Sequence, residues 1–373
     1  MSKPLISLTA ALAISVSWTP PLAAQEEPVG APSPNEIVDT AAAGEWLAIP
    51  AEDLLVMTLA PASDGTERKV VIQLMPAPFS QGWVENIRTL ARAGWYDDIT
   101  VNRVQDNYVV QWGDLNYDNP EADGEPKLLP EGLRVMDESD YVTRELLTIP
   151  DARGRPRFNY TLGALIMRNA TLASNGRITI PEGFDEAVAT GDVSKLKFKT
   201  PNLGDAYAPL ASIAVGWPLA GDVDDEDGPS DGFWPVHCYG MVGVGRNYSP
   251  DTGSGAELYT VIGHAPRHLD RNIALVGRIV EGMEHLSSLP RGSGALGFYT
   301  KEEADKRTPI VTVRVASDLP AAERPAFEYL STEGETFAKY VEARANRRDP
   351  FFITPAGGAD ICNIPVPIRR AGE

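Results

Sequence analysis

The chain has 373 residues and 43% hydrophobic content, enough for one sizeable core with additions. It carries 33 Lys and Arg against 52 Asp and Glu, a formal charge of −19. A surface of that sign repels phosphate backbones and anionic bilayers, which argues against nucleic acid and favours a protein or peptide substrate.

In chain order, the first 24 residues hold one charge, Lys3, then an apolar stretch from Leu5 to Val16, then Pro20-Pro21-Leu22-Ala23-Ala24. That order predicts a secretory signal peptide cut at Ala24/Gln25. The alternative, an anchor helix, is opposed by Ser7, Thr9, Ser15, Ser17 and two prolines, which interrupt the apolar span of about 20 residues that a bilayer needs. The expected location is therefore periplasmic or secreted, off the membrane after cleavage. Residues 25–44, with Ala31-Pro32-Ser33-Pro34, read as a flexible lead-in.

A domain over residues 45–320 is expected next. Leu54 to Ala60 and Lys69 to Met75 read as two strands joined by the turn Ser63-Asp64-Gly65-Thr66. Trp83, Ile87, Leu90 and Ala91 share one face of a helix that Gly94 ends. Strands from Ile99 to Val104 and Tyr108 to Trp112 follow. Residues 115–237, rich in Asp, Gly and Pro, read as a long irregular insertion with an acidic run at 221–228. Strand patterns resume at 238–244, 257–263, 273–280 and 310–316. The remaining residues, 321–373, form a C-terminal extension with a helix near Glu335 to Arg347, stopped by Asp349-Pro350. Many short strands with few helices predict a mainly β protein built on a closed barrel.

Several chemical patterns fail on context. Gly228-Pro229-Ser230-Asp231-Gly232 has the spacing of a nucleophile elbow but follows an acidic run rather than a strand. His264 and His268 stand four apart, yet Pro266 lies between them and the zincin glutamate is missing. Gly243 and Gly245 open a dinucleotide-like pattern that breaks at Tyr248. The acidic run lacks the glycine and distal glutamate of a calcium loop. No metal or cofactor is expected. Cys238 and Cys362, an even pair in an exported chain, predict one disulfide, with two buried thiols as the alternative.

Two separated blocks carry the informative pattern. The first holds Pro78-Phe79, Val84-Glu85-Asn86, Gly94-Trp95-Tyr96-Asp97, Asn102-Arg103 and Tyr108-Val109-Val110-Gln111-Trp112-Gly113-Asp114. The second holds Gly255-Ala256-Glu257-Leu258-Tyr259, Leu269-Asp270 and Val276-Gly277-Arg278, ending at Gly282-Met283. In order and spacing they resemble the cyclophilin-type peptidyl-prolyl cis-trans isomerases over residues 50–114 and 238–316. The resemblance implies an eight-stranded antiparallel barrel capped by two helices, and isomerase activity on X-Pro bonds of unfolded exported proteins, assisting their folding. A binding module with little or no turnover is the alternative.

An amide resonance barrier of about 18 to 20 kcal/mol separates cis from trans, so a catalyst must favour the twisted amide. In that state the prolyl nitrogen accepts a hydrogen bond, and a rigid, permanently charged donor suits it. The resemblance assigns this role to Arg103, with Gln111 orienting it. It assigns Tyr108, Val109, Tyr259, Leu269 and Ile273 to an apolar slot for the proline ring, and Glu257, Leu258 and His268 to the substrate groove. Barrel core is the plainer reading of Tyr108, Val109, Tyr259 and Leu269, and a surface ion pair that of Arg103. The departures include Asn102 for histidine, Val109 for methionine, Glu257 for glutamine and His268 for tryptophan. Glu257 is expected to pair with Arg103.

Overall fold

The structure, a computed structural model, describes residues 30–117, 119–143, 147–150, 156–160, 205–208, 210–222 and 232–372. The signal-peptide reading, the elbow-like serine and most of the acidic run fall outside these residues. Among the described residues, no helix is long and apolar enough to cross a membrane.

Eight strands close into an antiparallel barrel: β1 (Leu54–Leu59), β2 (Arg68–Leu74), β3 (Ile99–Val104), β4 (Val109–Gly113), β5 (Met241–Val244), β6 (Leu258–Val261), β7 (Leu275–Glu281) and β8 (Pro309–Val315). Round the barrel the order is β5-β6-β4-β3-β8-β1-β2-β7, and β7 pairs back onto β5. Closure leaves no free edge to template aggregation. Side chains alternate across the wall: on β4, Val110 and Trp112 point into the main core, while Val109 joins a separate outer cluster.

The Gln81–Arg92 helix buries Trp83, Val84, Ile87, Leu90 and Ala91, as the spacing predicts. It stops where Gly94 takes φ +66°, a left-handed conformation that glycine adopts without strain. Trp83 adds a 5.4 Å stack on Tyr141 and donates its indole N–H to the Thr252 and Gly253 carbonyls. The second expected cap is a single turn, Glu284–Ser287.

Three expectations need correction. The flexible lead-in contains a helix, Pro34–Asp39, because Ser33 and Glu36 form a reciprocal capping box and proline opens the first turn. It packs against the Glu335–Ala345 helix of the extension. The insertion is not wholly irregular: Leu210–Ala214, Trp217–Gly221 and Phe233–Pro235 form a three-stranded sheet, and Ile213, Trp217, Leu219 and Trp234 join the main core. Val215 and Gly216, both at positive φ, make the tight turn that connects its first two strands. Finally, the extension supplies strands as well as a helix, with Phe327–Leu330 lying between Trp46–Ala48 and Ile368–Arg370.

Cys238, just before β5, and Cys362, in the extension, form a disulfide with Cα atoms 5.1 Å apart. It closes a span of 124 residues, worth about 4 to 5 kcal/mol on the chain-entropy account.

Candidate functional site

Register builds the site. Arg103 on β3 is the partner of Gln111 on β4, Gln111 that of Tyr259 on β6, and Tyr259 that of Gly243 on β5. One row of outward-facing residues thus crosses four strands. The pairing of β3 with β4 shifts between Val101 and Arg103, leaving Asn102 as the extra residue of a bulge, a device that re-aims a neighbouring side chain. Asn102 is buried and donates its amide to the Gly113 carbonyl at 3.1 Å.

Arg103 gives its donors to neutral acceptors. Its Nε–H bonds the Leu296 carbonyl at 2.7 Å, one terminal nitrogen bonds Gln111 Oε1 at 3.2 Å, and the other bonds Gln105 Oε1. The guanidinium also lies 5.5 Å from the ring centres of both Tyr108 and Phe298. Three of its five N–H groups are thereby held by these acceptors. Burial lowers its pKa, opposed by the Tyr108 and Tyr259 hydroxyls, yet an arginine remains charged. Burial also raises the Tyr108 phenol, against the pull of Arg103.

A cleft of about 740 Å³ opens over this row, lined by Arg103, Tyr108, Val109, Gln111, Tyr259 and Ile273 from the predicted set. Val109, Tyr259 and Val261 form their own apolar cluster, against which Tyr108, Leu269 and Ile273 pack. The predicted slot is therefore one contiguous patch outside the main core. Asn119, Pro120 and Ala122 from the insertion, Arg246 to Tyr248, and Leu296 and Phe298 complete the walls.

Three predicted groove residues lie elsewhere. Leu258 points inward, 2% exposed and opposite Trp112, because strand alternation sends it to the face opposite Tyr259. His268 is exposed and stacks on Tyr108 with ring centres 6.4 Å apart, bracing that ring without lining the cleft. Glu257 is 3% exposed, and its carboxylate rests on Gly113, where a Cβ would come within 1.8 Å of Oε1. It acts electrostatically on buried Tyr96, whose phenol is raised first by burial and then by that carboxylate. The expected ion pair gives way to the neutral cradle around Arg103. His264 is an exposed loop residue beside Asn107, and no metal-binding group of His, Cys, Asp or Glu occurs among the described residues.

Sequence reasoning missed Gln105, Leu296, Phe298 and His237. Leu296 and Phe298 come from a loop some 190 residues downstream of Arg103, with no local motif to flag them. His237 ends the insertion and reaches the hydroxyl of Tyr259 at 2.9 Å.

A closed antiparallel barrel bearing an oriented arginine beside an apolar slot is the architecture that the sequence resemblance implies. The family model for "Cyclophilin type peptidyl-prolyl cis-trans isomerase/CLD" matches residues 65–179. The crystal structure of cyclophilin AquaCyp293 from Hirschia baltica is similar, with a TM-score of 0.54 and 17% identity over 87% of this chain and 93% of that one. A Cryptosporidium parvum cyclophilin type isomerase, solved in the presence of the dipeptide Ala-Pro, gives a TM-score of 0.32 and 9% identity over 70% of this chain and 96% of that one. No curated protein matches the sequence. The family match over residues 65–179 and the closed barrel together support a divergent cyclophilin-type domain in this chain.

Proposed function

We propose that this protein catalyses cis-trans isomerisation of X-Pro bonds in polypeptides outside the cytoplasm. The observation that carries the reading is Arg103, a permanent cation held by neutral acceptors at the wall of an apolar cleft. A carboxylate partner would spend its charge in the ground state. Neutral acceptors orient it and leave the charge for the substrate.

The proline ring packs on Val109, Tyr259 and Ile273, which fixes the amide beside Arg103. As the amide twists, its nitrogen regains a lone pair and a guanidinium N–H donates to it, an interaction stronger in the transition state than in either planar state. One charge-assisted hydrogen bond contributes about 1.5 to 3 kcal/mol. A rate gain of ~10⁵ needs about 7 kcal/mol. The cleft walls must supply the difference by orienting the backbone on either side of the proline and desolvating the bond.

The test compares the purified protein with Arg103→Ala in an X-Pro peptide isomerisation assay. Turnover that collapses in the variant supports the enzyme. No turnover in either, with a proline peptide still bound, makes the protein a binding module. Export is tested by sequencing the amino terminus of the mature protein, expected at Gln25.

A further inference from the structure

A buried polar line runs from the inserted segment to the floor of the cleft. Tyr259 is 4% exposed, and its ring lies across Gly243, where a Cβ would stand 2.4 Å from the hydroxyl. That hydroxyl is 2.9 Å from His237 Nε2, and His237 Nδ1 is 2.8 Å from Asp270 Oδ1. The second Asp270 oxygen accepts the Arg267 Nε–H at 2.7 Å, and a terminal nitrogen of Arg267 sits 2.7 Å from the Asp205 carboxylate. His237 is 1% exposed, Arg267 4% and Asp270 6%.

The chemistry of the groups fixes each direction. A carboxylate only accepts, so Nδ1 of His237 donates to Asp270. Nε2 of a neutral imidazole is then bare and accepts the Tyr259 hydroxyl proton. The phenol is thus turned into the protein, which leaves its ring, and not its oxygen, as the surface offered to the cleft. A Tyr-His-Asp order suggests a nucleophilic relay, but the hydroxyl of this one is committed to the interior. What the line can do is hold the ring.

We propose that His237 is a positioning residue for Tyr259 and thereby for the proline slot, so that the inserted segment, which contributes both His237 and Asp205, governs substrate affinity. This rests on the isomerase reading of the cleft. A ring locked at one angle grips planar and twisted amides alike, because the proline ring itself changes little between them. Loosening the lock therefore weakens binding throughout the reaction and leaves the chemical step alone.

The experiment uses the full protein, an X-Pro peptide assay, and the variants Tyr259→Phe, His237→Leu and their combination, with thermal midpoints recorded alongside. Each single change should raise KM about three- to tenfold, the worth of one buried hydrogen bond, with kcat held within about twofold. The double variant should be no worse than the worse single one, since both break the same contact. Lowered midpoints with KM unchanged would mean a structural role only and overturn the proposal, as would independent, multiplying effects. Should His237→Leu fail to fold, Tyr259→Phe, which keeps the ring, carries the test. A ¹⁵N spectrum of wild type should show His237 protonated on Nδ1 and bare on Nε2, and the opposite tautomer also overturns it. If wild type shows no turnover, the isomerase reading fails by itself. The same ratios are then read from the Kd of a proline peptide by NMR titration, where equal Kd values in wild type and Tyr259→Phe, or no binding at all, count against the positioning role.

Discussion

The barrel carries two arginine-glutamine pairs built alike and used differently. Arg103 is the cross-strand partner of Gln111, and Arg278 on β7 is the cross-strand partner of Gln73 on β2. Each guanidinium bonds the amide oxygen of its glutamine, takes a backbone carbonyl, and lies near an aromatic ring. Arg278, however, is roofed by the Val215-Gly216 turn of the insertion and by Trp217, 4.2 Å from its charge. Burial drags its pKa down to about 9, so it is still cationic at neutral pH. Arg103 instead faces an open cleft. The pair is a way to hold an arginine without a carboxylate; what covers it decides whether the charge is sealed inside the protein or left open to the cleft.

Arg278→Ala probes the sealed charge. It would strand the Gln73 and Gly216 oxygens in the interior and remove the Trp217 contact, a loss of about 4 kcal/mol measured by denaturant unfolding. Its folded fraction should keep wild-type turnover; lost activity at full folding would break the contrast. Arg103→Ala should do the reverse: kcat/KM falls about 10²- to 10³-fold, close to 3 to 4 kcal/mol, while stability changes by less than about 1 kcal/mol. Gln111→Ala sharpens the picture by leaving the charge and removing one orienting contact. A fall in kcat of about fivefold is expected from the same peptide assay.

The smallest effect concerns pH. Burial works to raise the Asp270 carboxyl, but the hydrogen bond from His237 and the charge and hydrogen bond of Arg267 outweigh it and hold the pKa below the ordinary aspartate value. The unfolded chain therefore takes up a proton first as pH falls. The contribution of Asp270 is fully present above the unfolded value and is lost on passing down through the folded one. Asp270→Asn should be less stable at neutral pH and show a flatter acid limb in unfolding midpoints taken from about pH 6 to pH 3. An unchanged acid limb would remove Asp270 from the buried line.

Much of the barrel was legible because its strands alternate and its helix repeats, and both are local properties. The β3 strand from Ile99 to Val104 lies where its apolar pattern predicts, and the Gln81–Arg92 helix sits on its predicted face. Leu258 shows the limit of residue-by-residue transfer: one step along a strand turns a side chain from cleft to core. Asp, Gly and Pro in the insertion suggested loop, whereas Trp217 and Trp234 gain enough from burial to keep a sheet.

The sequence by itself pointed to the barrel class, favoured the disulfide that the structure contains, and singled out Arg103, Gln111, Tyr108, Val109, Tyr259 and Ile273, which the fold brings to one cleft. These follow from periodicity, from cysteine number and from motif order, all of which are written along the chain. Only the tertiary structure decided the Leu296 and Phe298 contacts of Arg103, the turn of Glu257 towards Gly113, and the reach of His237 to Tyr259. Those depend on which residues distant in sequence are brought within about 3 Å, and hydrogen-bond geometry at that scale leaves no periodic trace in the chain.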